Sequence, residues 1–447
     1  MQPYELTAAQ AARLIAAREL SCEELARSTL ERIAQRDPLI RAWSYVDPDQ
    51  VLRNARELDK VPPRSPLHGL TLGVKDMIDT ADMPTSHNSP LYYGHRPGKD
   101  AACVAVARAS GALVVGKTDT VEFASGGRKA ATRNPYNLAH TPGGSSSGSG
   151  AAVGDKMVQL AFGTQTGGSH IRPAAFNGIY GIKPTHGAVS REGAKMYSHT
   201  LDTVGWYGRS VEDLLLMAGA YRLYGADAPA GQRPVEQLKI GLCRGPNWHR
   251  AEPEGQAALM AAAARLEAAG AQVVELDLPA PFGGLTQAQE VVMRAEGRAA
   301  FLPEYLSSLH GLHQDFRDMV ENTRGITPEA LVQAYDLAAD CRRQFDALFG
   351  PGLDAVMTPP APGEAPEGLH TTGDWVFNAM WTLLHVPCVA IPVGLGPRGL
   401  PVGVQLVGPR FADVALLHIA RACAPAIHED GVLRPVPAAD AGAAQAA

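Results

Sequence analysis

Two Gly-Gly-Ser stretches mark the first half of the chain: "TPGGSSSGSGAAVG" over residues 141–154 and "GTQTGGSHIRPAAFNGIYGIKPTHG" over 163–187. Ser145 in the first and Ser169 in the second stand 24 residues apart. Upstream, "HGLTLGVKDMIDTADMPT" holds Lys75 in a Gly- and apolar-rich segment. A serine hydroxyl is a weak nucleophile and needs a base. Lysine is such a base only where burial keeps it neutral, and Leu72, Val74 and Met77 are the neighbours to bury it. Lys75, Ser145 and Ser169 are thus a set able to run nucleophilic catalysis without histidine.

Other readings of these segments compete. A Ser/Gly run is the composition of a flexible linker, but linkers are usually flanked by polar low-complexity sequence. This one runs straight into "AAV", a helix start whose unpaired N–H groups are available to a ligand. "GSSSG" fits the G-x-S-x-G nucleophile elbow with Ser146 central, yet that motif needs a preceding strand and "TRNPYNLAHTP" is not one. "GALVVGKT" fits the phosphate-loop pattern letter for letter. Its middle residues, Ala112 to Val115, belong in a buried strand instead of a cradle.

The elements that must position these residues alternate between helix and strand. Two helices are predicted over about 7–35, the second with Ser21 as N-cap and Glu24 closing a capping box. A short β run broken at Gly73 follows, then a helix ending at Gly111, the strand "ALVVGKT", and a helix and strand after the serine stretch. Helix and strand alternate over 180–280, helices fill 284–349, and the end returns to strands and a last helix. The expectation is an α/β fold, a central sheet with helices on both faces. Residues 1–140 supply only two convincing strands, too few for a complete half, which argues against a hinge at 141–154. The segment 436–447 is expected to fray.

Composition narrows the class. The 447 residues are 45% hydrophobic and 19% charged, with net charge −6. Such a chain can build a large core and has no basic field for nucleic acid. Six cysteines form no CxxC or zinc spacing, and the His residues show no metal spacing. The first twenty residues lack a secretory pattern and no apolar run is long enough to span a membrane. These features lead to expectations of a reduced, cytoplasmic protein with no membrane partner, no metal and no cofactor.

Six blocks together resemble the amidase signature family: "LHGLTLGVKDMIDTADMPT", "AACVAVARASGALVVGKTD", "NPYNLAHTPGGSSSGSGAAV", "FGTQTGGSHIRPAAFNGIYGIKPTHG", "LDTVGWYGRSVEDLLLM" and "WTLLHVPCVAIPVGLGPRGLPVGVQLVGPR". They occur in family order, and the serine spacing is the family's. The resemblance implies one domain over 1–447 with a mixed β-sheet sandwiched between helices. It sets N-terminal helices over 1–60 and a variable helical region over 284–349 near the substrate entrance. It implies that Ser169 is the nucleophile, Ser145 a bridging serine after a cis peptide bond, and Lys75 the general base. The N–H groups of Thr166, Gly167, Gly168 and Ser169 are implied as the oxyanion hole. The implied activity is an amidohydrolase that cleaves the C–N bond of a small amide, urea or carbamate through an acyl-enzyme, with a homodimer as one allowed assembly.

The chain departs from the family where many members read "GTDTGGSIR": here 165 is Gln, 171 is Ile, and Arg172 lies three residues past Ser169. That offset resembles malonamidase-like members, in which an arginine binds a substrate carboxylate. A structural bond from Arg172 to loop carbonyls, Glu122 or Asp202 is the other reading. His170 and Trp381 complete the expected substrate-binding set, with Trp375 and Phe377 divided between pocket and core. Lys117, Asp119, Glu122, Asp76 and Asp79 are read as structural, and Ser146 as a group orienting Lys75. The alternative within the family is the amide-cleaving component of a tRNA-dependent amidotransferase, which works with partner subunits. An inactive binding scaffold and a nucleotide-binding protein are the readings of other classes.

Overall fold

The computed structural model describes residues 1–225, 233–350 and 352–428; the expectation for 436–447 lies outside them. Eleven strands form one mixed sheet: β1 (Trp43–Val46), β2 (Thr71–Lys75), β3 (Leu113–Thr118), β4 (Leu160–Gln165), β5 (Tyr180–Lys183), β6 (Thr203–Gly208), β7 (Lys239–Leu242), β8 (Gln272–Glu275), β9 (Ala355–Thr358), β10 (Cys388–Leu395) and β11 (Pro401–Val407). Their order is β1-β3-β2-β4-β6-β5-β10-β11-β9-β7-β8. β2 lies parallel to both β3 and β4, whereas β6 and β10 pair antiparallel with their neighbours. This is the α/β class that the alternating pattern predicts, with the mixed sheet that the family resemblance implies.

Local signals and tertiary pairing divide the elements between them. Ser21 caps the helix Cys22–Ile40, and its hydroxyl accepts from the Glu24 N–H at 3.1 Å while the Glu24 carboxylate accepts from the Ser21 N–H. β2 runs through Gly73 unbroken, with only a register shift there against β3. Its missing Cβ leaves room for Thr118 and Trp43, which a side chain would meet at 3.1 and 3.3 Å. β1 and β5 are four-residue strands that local patterning does not single out; pairing with longer neighbours makes them strands.

The residues of "GALVVGKT" confirm the strand reading of that segment. Leu113–Thr118 are wholly buried as β3. Lys117 is also buried, with its Nζ 3.1 Å from the Asp76 carboxylate and 2.6 Å from Thr85 Oγ1. It is a paired core cation, unavailable to a phosphate.

The serine stretch has its own packing logic. Ser147–Gly154 form a helix in which every residue is buried. A Cβ on Gly148 would lie 2.2 Å from the Ala42 carbonyl and 2.4 Å from the Asp119 N–H. Small residues here let a helix press against backbone; flexibility is not their purpose. Gly148→Ala is therefore expected to destabilise the protein by about 1–3 kcal/mol through overpacking. Chemical denaturation checks this, and an unchanged midpoint would count against the close approach.

Candidate active site

Lys75 ends β2, and β4 runs parallel beside it with Val74 level with Phe162. That register brings Thr164 of β4 next to the lysine side chain. The Lys75 side-chain nitrogen Nζ lies 2.7 Å from Ser145 Oγ and 2.7 Å from Thr164 Oγ1, with the lysine fully buried. Burial pushes its pKa well below the ordinary value of 10.5, and the charge of Asp202 acts the other way. A neutral amine with a hydroxyl on either side is set to accept a proton from one of them.

The loop carrying Ser145 is held rigidly. Gly143 takes φ +80°, and the Gly144–Ser145 peptide bond is cis. The Ser145 carbonyl accepts from Thr120 Oγ1 at 3.0 Å and from the Val121 N–H at 3.3 Å. Ser147 Oγ donates to the Gly143 carbonyl at 2.8 Å, and Ser149 Oγ to the Phe162 carbonyl at 2.7 Å. Ser146, expected to orient Lys75, makes no direct hydrogen bond to it among the described residues and reaches it only through Thr164. Its hydroxyl bridges the Thr164 N–H and carbonyl at 3.2 Å each, so the residue against the lysine is Thr164. The Ser146 N–H donates to the Ser169 carbonyl at 3.2 Å, which ties the two serine stretches together.

Ser145, Thr166, Gly167, Gly168, Ser169 and Arg172 line one cavity of about 350 Å³. Met293, Arg294, Asp315 and Met319 from the helices after residue 284, Arg324 from the turn that follows them, and Trp375 add to its wall. Ser169 makes no hydrogen bond to Ser145 in this structure, although both face the same cavity.

Arg172 is buried and mostly spoken for. Its Nε donates to the Thr372 carbonyl at 2.6 Å; Nη2 donates to the Gly144 carbonyl at 2.6 Å and to Thr372 Oγ1 at 3.0 Å. Neither Glu122 nor Asp202 is its partner. Glu122 pairs with Arg128, and Asp202 accepts from Thr166 Oγ1 at 2.6 Å. Nη1 of Arg172 is buried without a hydrogen-bond partner. Burial lowers the guanidinium pKa to about 10, opposed by the charge of Asp374.

Two expected substrate contacts are corrected. His170 is fully buried, stacked on Tyr207 with ring centroids 3.9 Å apart, and its Nε2 lies 3.2 Å from the Trp206 carbonyl. It occupies a slot between Gly163 and Gly205, which pair across β4 and β6. A Cβ on either would meet the ring, at 2.4 Å from Gly163 and 2.9 Å from Gly205. Burial lowers its pKa to about 3, so it stays neutral. Trp381 is likewise enclosed, with its ring centroid 5.3 Å from that of Phe345, and the aromatic side chains on the cavity are Trp375 and Tyr197. Adjacency to Ser169 in sequence did not mean adjacency in space, because a helix begins at Ile171 and turns the His170 ring to the sheet.

Residues missed from sequence are Thr164 and Gln289. Thr164 gave a weak signal as a polar residue within a buried strand five before Ser169. Gln289 sits in the helix Leu285–Ala300 with nothing local to mark it. The tryptophan correction has a direct check. Trp381→Ala is expected to cost about 3–5 kcal/mol in denaturant unfolding as a core truncation. A loss below about 1 kcal/mol would return Trp381 to the cavity wall.

Comparisons with known proteins identify the family. The family model described as Amidase matches residues 24–417. The A-type subunit of the glutamyl-tRNA(Gln) amidotransferase of Symbiobacterium thermophilum is 34% identical, over 95% of this chain and 99% of that protein. Among solved structures, the native peptide amidase of Stenotrophomonas maltophilia aligns with TM-score 0.80 at 28% identity, covering 98% of this chain and 100% of its own. A chain from a vestigial protein complex bearing on the origins of an s-triazine catabolic enzyme aligns with TM-score 0.85 at 26% identity, covering 97% and 100%. With a family match over residues 24–417 and a relative 34% identical over 95% of its length, this chain belongs to the Amidase family.

Proposed function

We propose that the chain cleaves a carboxamide through an acyl-enzyme on Ser169. The observation that carries this is the buried Lys75 Nζ at 2.7 Å from Ser145 Oγ, with Ser145 lining the same cavity as Ser169. Ser169 Oγ attacks the amide carbon and passes its proton to Ser145, whose own proton goes to neutral Lys75. The N–H groups of Thr166 to Ser169 stabilise the oxyanion. Collapse breaks the C–N bond, and the proton returns through Ser145 to the leaving nitrogen. Water then repeats the sequence on the ester, releasing the acid and restoring neutral Lys75.

Two settings suit this chemistry. Similarity to the A-type subunits of glutamyl-tRNA(Gln) amidotransferases, over nearly the whole of both chains, supports the first more strongly: release of nitrogen from an amide donor for partner subunits to use. The second is a free-standing amidohydrolase of small amides, ureas or carbamates. It draws on the likeness to a peptide amidase and on the altered stretch around Gln165. Ammonia release from glutamine and from a panel of other amides by the isolated chain, together with its elution as monomer, homodimer or complex, separates them. Brisk turnover of a simple amide by the chain alone favours the second.

Ser169→Ala is expected to abolish covalent labelling by a fluorophosphonate, and Lys75→Ala to slow it by about 10² to 10⁴. The base works only when neutral, so acylation rises with pH through the pKa of Lys75 and then levels. Because burial holds that pKa well below 10.5, the plateau should begin well below that pH. A rate still climbing at pH 10.5 would refute the assignment of Lys75.

Arg172 bears on substrate class. Its Nη1, buried and unpartnered, is the malonamidase-like reading's support: a donor not yet spent on a protein acceptor. Arg172→Lys cannot reproduce the guanidinium fork. It is expected to cost an acidic amide at least about tenfold more kcat/KM than a neutral aryl amide. Equal losses on both, with a lower Tm, would leave Arg172 as a brace for the Gly144 and Thr372 carbonyls alone.

A further inference from the structure

The Thr166–Ser169 segment is gripped from behind by side chains outside the serine–lysine set. In a trans peptide the carbonyl of one residue and the N–H of the next point in opposite directions. Among the described residues the only cis bond is Gly144–Ser145, so holding a carbonyl of this segment aims the following amide the other way. The Thr166 carbonyl accepts from Gln289 Nε2 at 2.9 Å, and the Gly167 carbonyl accepts from Thr382 Oγ1 at 2.7 Å. Both donors are buried. The amides so directed are those of Gly167 and Gly168, on the residues that line the cavity.

Gln165 decides which way the Thr382 proton points. Its Oε1 accepts from the N–H groups of His170 at 3.0 Å and Ile171 at 2.9 Å, which identifies the oxygen end of the amide. The other end, Nε2, then donates to Thr382 Oγ1 at 3.0 Å. A hydroxyl has one proton; accepting from Gln165 leaves Thr382 Oγ1 to give it to a carbonyl, and of the two in reach the Gly167 oxygen at 2.7 Å is nearer than the Asn378 oxygen at 3.1 Å. A carboxylate at 165 has no proton to donate and would compete for the one on Thr382.

We infer that Gln289 and the Gln165–Thr382 pair are positioning residues that orient the Gly167 and Gly168 amides toward the developing oxyanion. The inference rests on the reading of Ser169 as nucleophile. Gln165, which replaces the family's common aspartate in the sequence, acts here as a donor that an acid would not supply.

The test uses a fluorophosphonate on the intact protein, so no substrate need be known. Ser169 Oγ forms a bond to phosphorus, fluoride leaves with the P–F electron pair, and the serine proton passes to Lys75 through Ser145. Phosphonylation rates are compared for the wild type, Thr382→Val, Thr382→Ser, Gln165→Glu and Gln289→Leu, each checked for folding by its melting transition. Thr382→Val and Gln165→Glu are expected to slow the reaction at least about tenfold, and Thr382→Ser, which keeps the donor, to stay within about threefold of wild type. Gln289→Leu should slow it as well. Should the valine variant not fold, the serine and glutamate variants decide. Wild-type rates in folded Thr382→Val and Gln165→Glu would overturn this inference alone, as would a serine variant as slow as the valine one. A wild type that fails to label at Ser169 would overturn the functional reading and this inference with it.

Discussion

An amine buried in an apolar sheet governs the rest of this structure. Lys75 stands at the end of a central strand with no solvent contact, where a charged ammonium loses its hydration. Among the described residues this amine has two near partners, the Ser145 and Thr164 hydroxyls, and no carboxylate within ion-pair distance. The contrast with Lys117 is instructive. That lysine is equally buried one strand away, yet Asp76 sits 3.1 Å from it and supports its charge. Two buried lysines on neighbouring strands thus have different partners: one faces an acid, the other faces hydroxyls.

Backbone polarity is the second constraint. Loops at the centre of a protein must satisfy their amides and carbonyls internally. Around this cavity the carbonyls of Gly143, Gly144, Ser145, Thr166 and Gly167 all accept from hydroxyl, amide or guanidinium side chains. Arg172 serves in this way through Nε and Nη2, which is why its position past Ser169 matters even without a ligand. Ser146, Ser147 and Ser149 likewise spend their hydroxyls on backbone groups. Of the serines in the two stretches, only Ser145 and Ser169 line the cavity.

Small residues make the network possible. The helix after Ser146 approaches backbone so closely that Gly148 has no room for a Cβ, and paired glycines of β4 and β6 open the slot for His170. A Gly- and Ser-rich composition here marks close packing, the opposite of its meaning in a linker.

Much of this protein was legible in its residues. Helix–strand alternation indicated the α/β class, Ser21 and Glu24 marked a helix start, and the Gly-Gly-Ser stretches with Lys75 marked where chemistry would lie. These are local signals, written in propensity, capping and spacing. What sequence did not reveal depends on which strands become neighbours. Thr164 meets Lys75 only because β4 docks parallel to β2; Gln289 and Thr382 reach the Thr166–Gly167 peptides from helices more than a hundred residues away in the chain. His170 turned to the sheet and Trp381 into the core because helix geometry and packing set side-chain direction, and chain adjacency does not. The sequence by itself determined the residue types and their order; only the tertiary structure decided which of them face the cavity, since burial and hydrogen-bond direction exist only once distant segments are packed together.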